Sequence, residues 1–336
     1  VIPSREPLIL HFAEFVTRIS ASGIAPEASN RWLHRRTMSS SLRFVMVVSI
    51  EQWRARGQFT RLLGREIFYL DSGAHEKPVI FLIHGFPTSS WDWAPLWSAL
   101  SESYRLVALD MLGFGFSEKP NPHRYSIMEQ ADLCEALISE RELDRFHVLA
   151  HDYGDTVAQE LLARQNEGEG VGRWVSLCLL NGGLFPETHR ARLVQKVLLS
   201  PLGPWVNRLL SRRSFDKSFS AVFGAETKPS AKELESFWRL INERDGKHAF
   251  YNLITYMSDR KLHRERWVRA LQNSVVPIGR INGSADPVSG AHMVERYKEV
   301  VSSDHFTVQL ESIGHYPQVE APKQVLNAYL QFLRST

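Results

Sequence analysis

"HVLAHDYGDTVAQELL", residues 147–162, joins two patterns that belong to different secondary structures. The apolar run closing at Ala150 reads as a buried strand, and from Gly154 the apolar positions take helical spacing. Between them the chain turns sharply through His151, Asp152 and Tyr153. A serine nucleophile commonly stands at such a strand-to-helix corner. Here the corner carries an aspartate, and the chemistry open to a carboxylate is different.

Working outward from this corner, short apolar runs recur at 79–83, 105–109, 146–150, 174–180, 275–281 and 306–310, as buried parallel strands do. A hairpin is expected before them, "FTRLL" and "REIFYL" turning at Gly64. Helical patterns separate most of the runs. The clearest begins at Ser126, which with Glu129 offers a capping box. Strands alternating with helices predict an α/β fold with a mostly parallel sheet. One gap breaks the rhythm: residues 184–264 read as several helices without a strand. An insertion at the carboxyl side of a parallel sheet sits where ligands bind, so a helical lid is expected there. The core is then 52–183 together with 265–336.

With 336 residues, a formal net charge of +3 and 43% hydrophobic residues, the chain can bury a large core and has no charge argument for nucleic acid. Cys134 and Cys178 read as buried hydrophobes, and no CxxC pair, P-loop or ligand-like histidine spacing points to a metal or cofactor. Three readings of residues 1–51 stand open. The run "LRFVMVVSI" (42–50), too short to span a bilayer, is a remnant of a signal or anchor, an element at the domain edge, or the sequel to a start at Met38. The basic stretches "SRRSFDK" and "DRKLHRERWVR" suit either a solvated helix face or an anionic membrane surface.

Four segments fall at the carboxyl ends of expected strands: His84-Gly85, the Asp152 corner, Asp286, and His315 before the last helix. Nucleophile, acid and histidine follow in that order along the chain. A carboxylate, ionised at neutral pH, attacks a saturated carbon readily and an acyl group poorly, leaving an ester on the enzyme. Water activated by His315, with Asp286 orienting the ring, would hydrolyse that ester. Asp152 as a mere helix cap and Asp286 as a turn residue are the plainer alternatives. Ser117 in "GFGFS" lacks the frame of a nucleophile, and the segment reads as a shaped loop.

From about Gln52 to its end the chain resembles an α/β-hydrolase of the epoxide hydrolase and haloalkane dehalogenase branch. The resemblance rests on His84-Gly85-Phe86-Pro87, the run from Asp110 through Gly113, Gly115 and Ser117 to Pro120, Ala150-His151-Asp152-Tyr153-Gly154, and Gly314-His315. It implies catalysis by Asp152, Asp286 and His315, with the backbone N–H groups of Phe86 and Tyr153 as the oxyanion hole. Dehalogenases hold halide with an asparagine and a tryptophan where this chain has Phe86 and Tyr153, so dehalogenation is disfavoured. Epoxide hydrolases use two lid tyrosines; Tyr256 fits one place, while His189 and Tyr251 are weaker candidates for the other. Asp155 departs from the usual glycine or alanine, and its charge would suit a helix N-terminus. The expectation is an epoxide-hydrolase-like enzyme without cofactor, acting on a small or lipid-like substrate. A silent or regulatory ligand-binding fold and a membrane-surface esterase or lipase are the alternatives. The resemblance also implies a place at the endoplasmic reticulum membrane, with a cytoplasmic one as the alternative.

Overall fold

The structure, a computed structural model, describes residues 48–188, 193–200, 202–301 and 305–336. Most of the run 42–50, the rest of the N-terminal segment and His189 lie outside the described residues. Eight strands form one sheet: β1 (Gln58–Leu62), β2 (Arg65–Asp71), β3 (Val79–Ile83), β4 (Arg105–Leu109), β5 (Arg145–His151), β6 (Arg173–Leu180), β7 (Ile278–Gly283) and β8 (Phe306–Leu310). Their order is β1-β2-β4-β3-β5-β6-β7-β8. β1 and β2 pair antiparallel, as does β2 with β4; the rest is parallel.

The continuous apolar runs are explained by burial on both faces. In β3, Phe81 and Ile83 join one core cluster, while Ile80 and Leu82 join the other. Val148 and Ala150 of β5 face the first cluster and Leu149 the second, so the period of two persists although every position is apolar. β7 starts later than the expected 275–281, at Ile278 just past Pro277. Proline has no N–H for the ladder; Pro277 contributes only its carbonyl, to the Leu177 N–H. Helix Ile50–Arg56 buries Ile50 and Trp53 in the second cluster, so residues 50 and 51, assigned by sequence to the poorly defined N-terminal segment, are part of the packed body.

The capping box is half formed. Ser126 caps the helix Ile127–Glu140 by accepting from the Glu129 N–H at 3.1 Å. The Glu129 carboxylate turns to the His123 ring instead, accepting from Nε2 at 2.8 Å.

Between β6 and β7 the described chain is helical, with no strand. Lys119 ties this insert to the core by donating to the Leu240 and Glu243 carbonyls at 3.2 and 2.7 Å. Many of the basic residues here are paired: Arg212 with Asp216 and Glu235 and Arg264 with Glu187 within the insert, and Arg266 with Glu160 and Glu167 of the core helix Tyr153–Glu167. These pairings take charge away from the outer face that the sequence alone suggested. No described helix is long and apolar enough to cross a membrane.

Gly154 fixes how closely the helix Tyr153–Glu167 approaches the sheet. A Cβ there would lie 2.6 Å from the His84 carbonyl oxygen and nearer still to that of Ile83. Backbone cannot yield as a side-chain tip does, so Gly154→Ala should destabilise the fold by about 1–3 kcal/mol. Urea denaturation checks this, and an unchanged midpoint would refute the tight packing.

Candidate active site

Asp152 leaves β5 with φ 46° and ψ −103°, a strained conformation for a residue with a side chain. Its side chain makes no cap bond to the helix that follows, which removes the plain capping reading. Instead the Phe86 N–H donates to its Oδ2 at 3.1 Å. That loop can come so near because position 85 is glycine: a Cβ there would sit 2.5 Å from His151 Nδ1. Tyr153 begins the helix, so its N–H has no partner within the helix and lies beside the same carboxylate's backbone.

His315 Nε2 lies 3.7 Å from Asp152 Oδ2, and its Nδ1 donates to Asp286 Oδ2 at 2.7 Å. Asp286 is a turn residue and the partner of the His315 ring. Oδ1 accepts from the Val288 N–H at 2.7 Å, while Oδ2 accepts from Asn181 Nδ2 at 3.0 Å and Ser289 Oγ at 2.8 Å. The His315 loop is pinned by Glu320, whose carboxylate accepts the N–H groups of Gly224, Gly314 and Tyr316, each at 2.9 Å. Tyr316 in turn donates its hydroxyl to the Phe86 carbonyl at 2.9 Å, tying the histidine loop to the loop over Asp152.

Electrostatics follow from this packing. Burial works against the Asp152 charge, but His315, Arg260 and His151 overcome it and hold the carboxyl well below its usual range. Burial likewise opposes charge on His315, yet Asp286 and Asp152 raise its pKa well above the ordinary value. His151 and His84 are different: burial depresses them to about 4 and about 3. His84 is fixed as a neutral ring, Nδ1–H donating to the Gly85 carbonyl at 2.8 Å and Nε2 accepting from the Met111 N–H at 3.0 Å.

Tyr256 arrives from the helix Tyr256–Leu262 and packs its ring 5.0 Å from Tyr153 and 5.9 Å from Phe86, as the wall above Asp152. Tyr251 does not join it; it lines a surface cavity with Pro122, His123, Arg124, Asn252 and Thr255. Ser117 is buried and donates to the Asp110 carbonyl at 2.5 Å, a structural role in the loop. Asp110 shapes that loop by accepting from the Ser90 and Phe116 N–H groups at 2.8 and 2.7 Å.

A family model described as the alpha/beta hydrolase fold matches residues 78–322. The chain belongs to the α/β-hydrolase family. This hydrolase is 43% identical over 297 residues to the human mesoderm-specific transcript homolog protein, covering 85% of this chain and 88% of that one. It is 38% identical over 285 residues to the putative hydrolase LipZ of Mycobacterium tuberculosis, covering 85% and 98%. A haloalkane dehalogenase variant, DbeA-M1 from Bradyrhizobium elkanii, has the same fold, with a TM-score of 0.70 at 19% identity over 83% of this chain and 96% of that one.

Sequence reasoning passed over Arg260, Asn181, Tyr316 and Glu320. Arg260 lies within a basic run but stands four residues after Tyr256, hence on the same helix face. Its Nη2 is 3.7 Å from Asp152 Oδ1 and donates to the Asp152 carbonyl at 3.2 Å, while Nε donates to Thr156 Oγ1 at 2.7 Å.

Asp155 is fully buried, and burial together with the Asp152 charge pushes its carboxyl well above the usual value, which works against a negative charge at this helix N-terminus. A raised folded-state pKa means that its contribution is fully present below the unfolded value near 3.8 and is lost as pH rises. Asp155→Asn removes this loss, so the stability of the variant relative to the parent should improve between pH 4 and pH 7. Urea denaturation at both pH values reads the difference, and an equal difference at the two would sink the assignment.

Proposed function

We propose that this hydrolase opens epoxides by nucleophilic attack of Asp152 on carbon, then hydrolyses the resulting ester with water activated by His315. The observation that carries this reading is the ionised carboxylate at a strained corner, gripped by the Phe86 N–H on one oxygen and flanked by a histidine anchored on Asp286. Oδ2, already bonded to that N–H, would become the ester carbonyl, leaving Oδ1 to attack. The carbon–oxygen bond of the epoxide breaks as the bond to Oδ1 forms.

Attack removes the charge of Asp152, and with it one of the two carboxylates that favour the protonated form of His315. His315 then releases its proton, which neutralises the alkoxide, and becomes a base at the moment the ester needs water. The hydroxide formed as His315 takes a proton from water adds to the ester carbonyl carbon. The bond from that carbon to the product oxygen then breaks, and the added hydroxyl passes its proton to the departing alkoxide. Asp152 is freed as a carboxylate, while His315 keeps the proton it took from water. Epoxide and water thus give a diol with all protons accounted for. The N–H groups of Phe86 and Tyr153 would carry the tetrahedral oxyanion on Oδ2. The helical insert would act as the lid, with Tyr256 as a donor to the leaving oxygen. Phe86 and Tyr153, at the two positions implied for halide donors, weigh against dehalogenation. The aromatic wall formed by Phe86, Phe114, Phe250 and Tyr256 favours an apolar substrate, small or lipid-like.

A second reading, ligand binding without turnover, is favoured by how tightly this wall covers Asp152, which is only 3% exposed. One experiment separates the two. His315→Gln protein is exposed to styrene oxide, methyl 9,10-epoxystearate and matched alkyl bromides, and its intact mass is measured. A gain equal to the epoxide, mapping to the peptide around Asp152, is expected; an unmodified, folded protein would favour the binding reading.

A further inference from the structure

Arg260 is the buried charge that the scheme above leaves without a task. Only 2% of it is exposed, and it comes from the insert to lie against the corner that carries the nucleophile. Two of its three nitrogens have partners, Nε on Thr156 and Nη2 on the Asp152 backbone. Nη1 is buried and has no hydrogen-bond partner. A guanidinium taken out of water with donors unused is costly, so a group that uses them during function is worth seeking. The central carbon of that guanidinium lies over the Tyr256 ring, 4.5 Å from its centre. Tyr256 and Arg260 thus form one surface of the insert, one turn apart, facing Asp152.

Resting on the proposed Asp152 chemistry, we infer that Arg260 is the second donor to the oxygen that leaves carbon, with Nη1 and the Tyr256 hydroxyl together receiving the developing alkoxide. An arginine suits this step for a specific reason. Before attack its positive charge is matched by Asp152 Oδ1, 3.7 Å from Nη2. During attack that negative charge leaves the carboxylate and accumulates on the epoxide oxygen. A guanidinium spanning both places loses one anion as it gains the other, so it does not hold the nucleophile back at the expense of the product. Arginine stays protonated throughout and supplies hydrogen bonds and charge, not a proton. The alkoxide takes the Tyr256 proton, and the phenolate is reprotonated by the proton that His315 releases, or from water in the His315→Gln protein. The substrate class this selects is one whose leaving atom is an oxygen that stays on the product. A departing bromide, large and weakly basic, has far less use for these donors.

The test uses the full chain in the His315→Gln background, where alkylation is read by mass without the hydrolysis step. Rates of adduct formation are compared for styrene oxide and 2-phenylethyl bromide. Arg260→Met should slow the epoxide by ~100-fold and the bromide by less than ~10-fold. Arg260→Lys, which keeps the charge and loses the fork, should fall between the parent and Arg260→Met with the epoxide. Equal slowing with both reagents would mean that Arg260 only positions Asp152, and no slowing would mean that it does not act; either overturns the inference while leaving the Asp152 mechanism intact. Absence of any adduct in the His315→Gln parent overturns both. Circular dichroism of each variant distinguishes a lost donor from a lost fold, with the lysine variant carrying the test if the methionine variant unfolds.

Discussion

A carboxylate kept ionised with almost no water around it constrains everything near β5. The isolated charge would be too costly to bury, and the chain surrounds Asp152 with groups drawn from distant segments: Phe86 after β3, His315 before the last helix, and Arg260 from the insert. None of these comes from the strand or helix that carries Asp152. The arrangement therefore exists only when sheet, insert and terminal loop are all in place, and the fold and the site are coupled through one charge.

The same coupling explains where the backbone departs from ordinary geometry. Asp152 takes a positive φ, and the strain is held by neighbours that have been pared down to make room. Gly85 lets the His84 loop touch His151, and Gly154 lets the helix meet the ends of β3. Asn181, also at positive φ, serves the acid in the same way: its side chain bonds Asp286 at 3.0 Å and accepts from the Gly283 N–H at 2.7 Å. Glu320 then joins the histidine loop to the insert through Gly224, so His315 is positioned by the element that also covers Asp152.

Much of this was legible in the sequence, for reasons that differ by residue. Buried parallel strands advertise themselves by unbroken apolar runs, and the elbow by the abrupt change from one period to another. Asp152, Asp286 and His315 could be found because each follows a strand, which places it at the carboxyl edge of a parallel sheet. Arg260 was hidden by composition: within "DRKLHRERWVR" it looks like a solvated charge, and only the fold buries it while leaving its neighbours Lys261 and Leu262 exposed. Asp155 stands in a helix whose first turn is entirely buried, where the rule for exposed helix ends does not carry over directly. Glu129 was half right, since no local pattern says that His123 would claim its carboxylate. These misses share a cause. The meaning of a charged side chain depends on its depth and its partners, which belong to tertiary structure.

The placement of charge also bears on what the insert would contribute to the proposed chemistry. An apolar lid alone would exclude water and so raise the cost of the Asp152 anion. This insert brings a cation with the apolar wall: Arg260 stands beside the anion while Phe250 and Tyr256 pack over the Phe86 loop. Water can then be excluded without neutralising the nucleophile. His315 responds to the same charge, because its proton is held jointly by Asp286 and Asp152. Under the proposed chemistry, loss of the Asp152 charge would leave Asp286 alone to hold that proton and would shift the balance toward a neutral, basic imidazole, so that a single charge changing place acts on the nucleophile and on the base together.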